Sequence, residues 1–153
     1  MEQTPDPARP TAVIAARVRS LRQRHGWSAD GLAERMAAAG VPWTRIVVTK
    51  LETGRRPSVS VEEWMALALV LGVAPVHLVV PTGGDEADPY EVAPGRPVSA
   101  WEAREWIRGR MPLQELGQDA RVYFSEVPAD EFRIDQASAD NMTREFRASS
   151  GER

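Results

Sequence analysis

One short segment combines hydroxyl and basic side chains with apolar residues at helical spacing. With about 3.6 residues per turn, Val48 and Leu51 fall on one face of a helix, whereas Arg45, Thr49 and Lys50 fall elsewhere. Guanidinium and hydroxyl groups on a helix can hydrogen-bond base edges in the major groove of DNA, provided that the apolar face is locked against a scaffold. The segment therefore predicts a helix that reads DNA.

Other kinds of chemistry have little support in the chain. Cysteine is absent, which excludes disulfides, thiol nucleophiles and cysteine zinc sites. The two histidines, His25 and His77, are far apart, and carboxylates are not clustered at ligand spacing. The sequence has no glycine-rich phosphate loop, no G-x-S-x-G nucleophile elbow and no acid–base pair. We therefore predict no catalytic residue, no metal site, no cofactor and no enzymatic activity.

Charge is divided unevenly along the chain. Residues 1–60 carry ten basic and five acidic side chains, a net charge of +5, whereas residues 61–153 carry nine basic and 17 acidic ones, a net charge of −8. The basic half indicates a polyanion partner, and the acidic half must face away from DNA or compete for the basic face. No stretch approaches the roughly 18 apolar residues that cross a bilayer. Because residues 1–10 also lack the pattern of a secretory signal, we expect a cytoplasmic protein without a membrane partner.

Periodicity and capping signals predict five helices within residues 11–80. Ser28 is a good N-cap for the second helix, and Ser60 with Glu63 has the form of a capping box that opens the fourth. Pro75 suits the first turn of a short fifth helix. Glycines follow the first four helices as expected C-terminal stops: Gly26, Gly40, Gly54 and Gly72.

The remaining residues are assigned to an arm, a linker and a tail. We predict a flexible arm over residues 1–10 and a linker over residues 81–98, which are rich in proline, glycine and acidic side chains. A second capping box, Ser99 with Glu102, predicts a short helical segment within residues 99–117. Residues 118–153 read as an acidic tail, partly disordered or helical, with a brief strand or extended segment near 121–127 and a helix near 128–146.

Several runs taken together resemble the Cro/C1-type (XRE-like) helix-turn-helix family. They are Val18-Arg19-Ser20-Leu21-Arg22, Gly26-Trp27-Ser28, Leu32-Ala33-Glu34-Arg35, Thr49-Lys50-Leu51-Glu52-Thr53-Gly54-Arg55-Arg56 and Leu67-Ala68-Leu69-Val70-Leu71-Gly72-Val73. The resemblance covers about half of the chain, residues 12–80. It implies an all-α, lambda-repressor-like domain of five helices whose third helix reads DNA, followed by a linker and a short helical C-terminal extension.

The resemblance also implies roles for individual side chains. Thr44 would cap the third helix and touch a phosphate. Arg45 and Ile46 would project toward base edges, Arg45 preferring guanine and Ile46 a thymine methyl group. Further side chains would contact the DNA backbone or lie beside the groove: Ser28, Thr49, Lys50, Arg55, Arg56 and, with less support, Arg17.

Two departures from the family bear on these roles. Ala29 stands where the family often has a glutamine that fixes a phosphate, and the turn at Val41-Pro42-Trp43 is about two residues longer than the usual form. Each role also has a structural alternative. Within the apolar run 46–48 at least two residues are expected in the core, and the arginines after the third helix can form a solvated loop. Glu52 is expected to pair with an arginine or to cap backbone amides.

These observations predict a sequence-specific transcription regulator that binds a palindromic operator in double-stranded DNA as a homodimer. The resemblance implies that this regulator is a repressor. Val76, Val79 and Val80 of the fifth helix, together with the helix at 99–109, are candidate dimer surfaces. The alternative is a protein-interaction module, such as an antitoxin or a partner-binding regulator. In that case the acidic C-terminal half does the main work, with a protein partner at residues 99–153.

Overall fold

Helices dominate residues 6–131, which are the residues that the computed structural model describes. These residues divide into two units, one ending at Arg104 and the other beginning at Glu105. Among them no helix has the length and apolar character that crossing a membrane requires.

The first unit begins with the helices that periodicity and capping signals predict. They are α1 (Pro10–Arg24), α2 (Ala29–Ala38), α3 (Arg45–Glu52), α4 (Val61–Leu71) and α5 (Pro75–Val79). The first of them starts earlier than the apolar pattern, at Pro10, because proline has no N–H to leave unsatisfied in a first helical turn. At the end of α4, Gly72 has a φ of 70°, the left-handed conformation that glycine adopts without steric cost.

The predicted N-caps are confirmed at two helices and are wrong at a third. The Ser28 hydroxyl accepts a hydrogen bond from the Gly31 N–H at 3.0 Å. Ser60 and Glu63 form a reciprocal capping box at the start of α4. Thr44 occupies the N-cap position of α3, but its side chain makes no capping hydrogen bond. Threonine is a weaker cap than serine, since its extra methyl group restricts rotation about χ1.

One hydrophobic core joins α1–α4 and the middle of α5. Val48 and Leu51 of α3 are fully buried in it, as the helical spacing predicts. The other large, fully buried core side chains come from the remaining helices: Val18, Leu32, Met36, Leu67, Leu71 and Leu78. Each such side chain contributes about 1.5–3 kcal/mol when it leaves water, so the core holds α3 by its apolar face.

A β-hairpin occupies the segment for which composition predicts a linker, so the described chain is mainly helical but not all-α. Strands β1 (Pro89–Ala93) and β2 (Arg96–Ser99) pair in antiparallel register, with Tyr90 opposite Val98. The ring of Tyr90 is buried, and its hydroxyl donates to the Val79 carbonyl at 2.9 Å. The proline and glycine that suggest a linker form the hairpin turn instead, with Gly95 at a φ of 70°.

The end of the predicted arm is paired with this hairpin. The Ala8 N–H donates to the Pro89 carbonyl at 3.0 Å, and the Glu91 N–H donates to the Ala8 carbonyl at 2.9 Å. Ala8 therefore lies parallel to β1, on the opposite side from β2. Of the predicted arm, residues 1–5 lie outside the described residues and Pro10 belongs to α1.

Beyond the hairpin the chain is again helical. The capping box of Ser99 and Glu102 is confirmed at the start of α6 (Ala100–Ile107), with N···O distances of 2.9 and 3.2 Å. The second unit also contains a 3-10 turn at Gln114–Leu116 and α7 (Ala120–Ser125). The predicted strand near 121–127 is wrong, because the Asp119 carboxylate accepts from the Arg121 N–H at 2.7 Å and caps a helix there. The helix predicted at 128–146 lies largely outside the described residues.

Candidate nucleic-acid interface

Helix α3 presents one buried face and one exposed face. Arg45, Ile46, Thr49 and Lys50 are exposed, and 63% of the surface of Ile46 is accessible to solvent. The exposure of an isoleucine matters here because its neighbours in the run, Val47 and Val48, both pack against the core. The expectation that at least two residues of the run belong to the core is thereby confirmed.

The polar side chains of this face are weakly engaged with the protein. An Arg45 Nη atom lies 3.7 Å from a carboxylate oxygen of Asp30, and both side chains are well exposed. An exposed pair of this kind contributes only about 0–1 kcal/mol, so DNA can displace it at small cost. The Thr49 hydroxyl donates to the Arg45 carbonyl at 2.9 Å. Lys50 is exposed and forms no ion pair with any of residues 6–131.

The start of α2 lies beside the start of α3. Asp30, which contacts Arg45, belongs to the first turn of α2, and Ser28 caps that same turn. Ser28 therefore caps the same helical turn that contacts α3 through Asp30. Ser28 is exposed, although its hydroxyl already accepts the hydrogen bond from Gly31.

The two arginines that follow α3 have different surroundings. Arg55 is exposed, and within the described part of the chain it has no ion-pair partner. Arg56 is partly buried, and its Nη2 donates to Oε1 of Glu63 at 2.6 Å. The Arg56 guanidinium also lies 5.2 Å from the centroid of the Trp43 ring. Arg55 is therefore free to bind an anion outside the protein, whereas Arg56 is engaged within it.

Glu63 receives several donors at the end of the interface. Its Oε1 also accepts from the Trp43 indole N–H at 2.9 Å, and its Oε2 accepts from the Ser60 N–H at 2.9 Å. Burial raises the pKa of Glu63, but the hydrogen bonds from Arg56, Ser60 and Trp43 outweigh burial and hold this pKa below its ordinary value. Glu63 is therefore an ionised group at neutral pH.

A second ion pair fixes the C-terminal end of α3. The guanidinium of Arg22 donates to both carboxylate oxygens of Glu52, at 2.6 and 2.8 Å, and also to the Trp27 carbonyl at 2.7 Å. The hydrogen bond to Glu52 raises the pKa of Arg22 more than burial lowers it. The expected pairing of Glu52 with an arginine is confirmed, and it ties α3 to α1.

Arg17 is engaged elsewhere in the fold. Its Nε donates to the His77 carbonyl of α5 at 3.1 Å, which joins α1 to α5 rather than adding Arg17 to the exposed face of α3. Burial, with repulsion from Arg24, lowers the pKa of Arg17. Among the sequence-predicted site residues, the exposed set is therefore Ser28, Thr44, Arg45, Ile46, Thr49, Lys50 and Arg55.

Sequence reasoning missed what Trp43 and Glu63 do together. Trp43 is assigned to the core or its edge, in agreement with its 7% exposure, and Glu63 is assigned to a capping box. A capping box uses one carboxylate oxygen, and nothing in the sequence indicates the partner of the second. A tryptophan in an unusually long turn was the available hint, because an indole N–H usually finds an acceptor when it is buried.

A comparison with protein families matches residues 13–79 to a model described as a helix-turn-helix domain. This range runs from α1 to the end of α5 and leaves out the hairpin and all that follows it. Among solved structures, the crystal structure of a hypothetical transcription factor NHTF from Neisseria is similar, with 28% sequence identity and a TM-score of 0.44. The match covers 54% of this chain and 87% of that one. No curated protein matches the chain.

Proposed function

We propose that this chain is a sequence-specific transcription regulator that reads its operator through α3, because residues 13–79 match a helix-turn-helix domain model. The observation that carries the proposal is the two-sided character of α3. Its apolar side, with Val48 and Leu51, is fully buried, while arginine, isoleucine, threonine and lysine cover the other side. A helix fixed in this way can enter the major groove without breaking the core contacts that hold it in place.

In this proposal the first turn of α3 reads the bases. The Arg45 guanidinium donates to O6 and N7 of a guanine, and the exposed side chain of Ile46 contacts a thymine methyl group. Thr49 and Lys50, one turn later, lie beside the same groove. A bidentate contact of the kind assigned to Arg45 discriminates against a wrong base by about 1–3 kcal/mol.

Contacts with the phosphates are proposed for the exposed groups at the edges of α3. Arg55 binds a phosphate from the loop after the helix, while Ser28 and Thr44 do so from the starts of α2 and α3. For Arg56 and Arg17 we propose supporting roles, since both guanidinium groups are already bonded within the protein. The interface then holds three exposed basic side chains for each copy: Arg45, Lys50 and Arg55.

We further propose a homodimer on a palindromic operator and repression as its effect. One domain of this size covers little DNA, so two copies related by a two-fold axis give useful affinity. A bound dimer represses by occupying DNA that a polymerase needs. Val76 and Val80 are two of the valines predicted as a dimer surface. Both are buried within the first unit, so they are not available for contact with a second copy.

The test is selection of binding sites from a genomic DNA library at about 100 mM salt, where phosphate contacts remain effective. An Arg45→Ala/Arg55→Ala double variant is run beside the wild type, with Arg121→Ala of α7 as a control for loss of an exposed arginine. We expect a palindromic sequence to be enriched by the wild type and the control and lost by the double variant. Absence of any enriched sequence with the wild type would contradict the proposal.

The second candidate is a protein-interaction module acting through residues 99–153. The observation that favours it is Val122 of α7, whose surface is 65% exposed. The salt dependence of binding distinguishes the two candidates. The logarithm of the affinity for DNA falls linearly with the logarithm of the salt concentration, because binding releases counterions from the phosphates. An apolar protein contact at α7 would keep its affinity as salt rises.

A further inference from the structure

The carboxylate of Glu63 accepts hydrogen bonds from side chains on both sides of α3. Trp43, two residues before the helix, donates its indole N–H to Oε1 of Glu63 at 2.9 Å. Arg56, four residues after the helix, donates from Nη2 to the same oxygen at 2.6 Å. The segments that precede and follow α3 are therefore both hydrogen-bonded to one oxygen atom of α4.

The carboxylate itself cannot swing away from this position. Its second oxygen accepts from the Ser60 N–H at 2.9 Å, and the Ser60 hydroxyl accepts from the Glu63 N–H at 3.2 Å. The capping box thus fixes Glu63 to the first turn of α4, and the remaining oxygen is presented to Trp43 and Arg56 in a fixed direction. The Glu63 side chain is only 15% exposed, so water competes weakly for these bonds.

Trp43 belongs to the long segment between α2 and α3. This segment runs from residue 39 to residue 44, and Trp43 is 7% exposed within it. The guanidinium of Arg56 lies over its ring at 5.2 Å, which adds a cation–π contact between the two ends of α3. The bonds to Glu63 therefore tie this segment and the residues after α3 to α4, in addition to the buried face of α3.

We propose that Glu63 is a specificity-determining positioning residue, which sets the angle at which α3 presents Arg45 and Ile46 to the bases without touching DNA. The inference rests on the proposed function. Hydrogen bonds to base edges tolerate only a few tenths of an ångström in length and a limited range of angles. Exposed basic side chains that contact phosphates adapt to a small rotation of the helix. Loss of the Glu63 contacts therefore reduces sequence discrimination more than it reduces general affinity for DNA.

The test compares Glu63→Gln with Glu62→Gln, its exposed neighbour in the first turn of α4. Glutamine keeps the size of Glu63 but has one acceptor oxygen, so it cannot serve Ser60 and the Trp43–Arg56 pair together. Affinity is measured for the selected operator and for random DNA at one salt concentration. We expect the ratio of the two affinities to fall about 10-fold to 100-fold in Glu63→Gln, with less than about a twofold change for random DNA. Glu62→Gln keeps the wild-type ratio.

Trp43→Phe supplies a second, milder variant. It keeps an aromatic ring at the edge of the core but removes the five-membered ring of the indole together with its N–H, so a smaller loss of the same ratio is expected. This variant decides the question if Glu63→Gln does not fold, which circular dichroism checks. A folded variant that loses stability can still keep the wild-type ratio of operator affinity to random-DNA affinity. That result overturns the proposal and leaves the proposed function standing. A wild type without sequence preference overturns both.

Discussion

Arg55 and Arg56 are chemically identical neighbours that do different work. Arg55 extends into solvent, where it can bind a phosphate, whereas Arg56 is bonded to Glu63 and stacked on Trp43. One guanidinium N–H group of Arg56 is buried with no acceptor among the described residues. This unpaired donor destabilises the fold, and the charge-assisted hydrogen bond to Glu63 offsets that loss.

Replacing these arginines one at a time separates binding from stability. Arg55→Ala is expected to weaken binding to operator and to random DNA alike and to reduce the logarithmic salt slope by about 1 for each copy. Arg56→Ala is expected to lower the free energy of unfolding by about 1–3 kcal/mol, because Glu63 loses the charged donor that it has among residues 6–131. Titrations over a salt series and thermal melting measure the two effects. Equal stability loss in both variants would contradict the distinction.

The pKa of Glu63 predicts how stability depends on pH. Because this pKa is lower in the folded protein than in the unfolded chain, Glu63 contributes stability above its unfolded pKa of about 4.3. That contribution is lost as the pH falls from there through the folded pKa. The free energy of unfolding of the wild type and of Glu63→Gln, measured with urea between pH 3 and pH 7, tests this dependence, because a pKa that differs between the folded and unfolded states makes stability vary with pH. We expect the two stabilities to converge toward low pH, and parallel curves would count against it.

At the scale of single residues, the sequence predicted burial better than it predicted pairing. The helical period was enough for Val48 and Leu51, since a fixed period puts them on one face. It could not separate Arg55 from Arg56, because the difference depends on a carboxylate from the next helix. Pairing across elements requires the packing of those elements, and a local pattern does not contain it.

Among the elements, α3 depends strongly on its neighbours. It has eight residues, and an isolated helix of that length is unstable in water. Its position therefore comes from the buried face, from the Arg22–Glu52 pair at its C-terminal end and from the contacts of Glu63 on either side of it. A short helix held at several points is rigid, as contact with base edges requires.

The Arg22–Glu52 pair gives a prediction at this scale. Both side chains are largely buried, so Arg22→Ala leaves a carboxylate with little access to water. We expect a loss of about 3–5 kcal/mol in the free energy of unfolding, measured with urea. The apolar double variant Arg22→Met/Glu52→Leu should recover most of it, since no unpaired charge remains. A double variant no more stable than Arg22→Ala would show that the pair itself, not the stranded charge, matters.

Helix caps and helix periods were predictable, and the hairpin was not. The capping boxes at Ser60 and Ser99 are local, so the sequence alone contains them. The hairpin uses proline and glycine at its turn, as a linker also does, and its strands have only five and four residues. What stabilises it is the burial of Tyr90 and its hydrogen bond to Val79, both of which are tertiary contacts.

For the whole molecule, the uneven charge bears on how the proposed interface would approach DNA. The exposed basic groups of the proposed interface, Arg45, Lys50 and Arg55, all lie within residues 1–60, which carry +5. Residues 61–153 carry −8, and the chain as a whole carries −3. Long-range attraction to DNA is therefore weak, and repulsion of the acidic part favours approach by the basic face. This feature was visible in the sequence, because charge needs no fold to be counted.

The hairpin completes the first unit, and Tyr90 tests its contribution. Tyr90→Phe removes one hydrogen bond and is expected to cost about 0.5–1.5 kcal/mol, whereas Tyr90→Ala leaves a cavity and is expected to cost about 3–5 kcal/mol. Urea unfolding gives both values, and hydrogen exchange shows whether the amides of β1 lose protection together with those of α5. Loss of protection in β1 alone would mean that the hairpin folds as a separate unit.

The hydrogen bonds of Ala8 have a consequence for how the chain is made. Ala8 pairs with Tyr90, so the first described residues must wait for a strand that leaves the ribosome 82 positions later. The helices between them contact one another over shorter distances and can assemble during synthesis. Closing a loop costs little more entropy as it lengthens, yet contacts distant in sequence form slowly. Ala8 is therefore expected to pair with β1 only after the helices between the two have had time to pack.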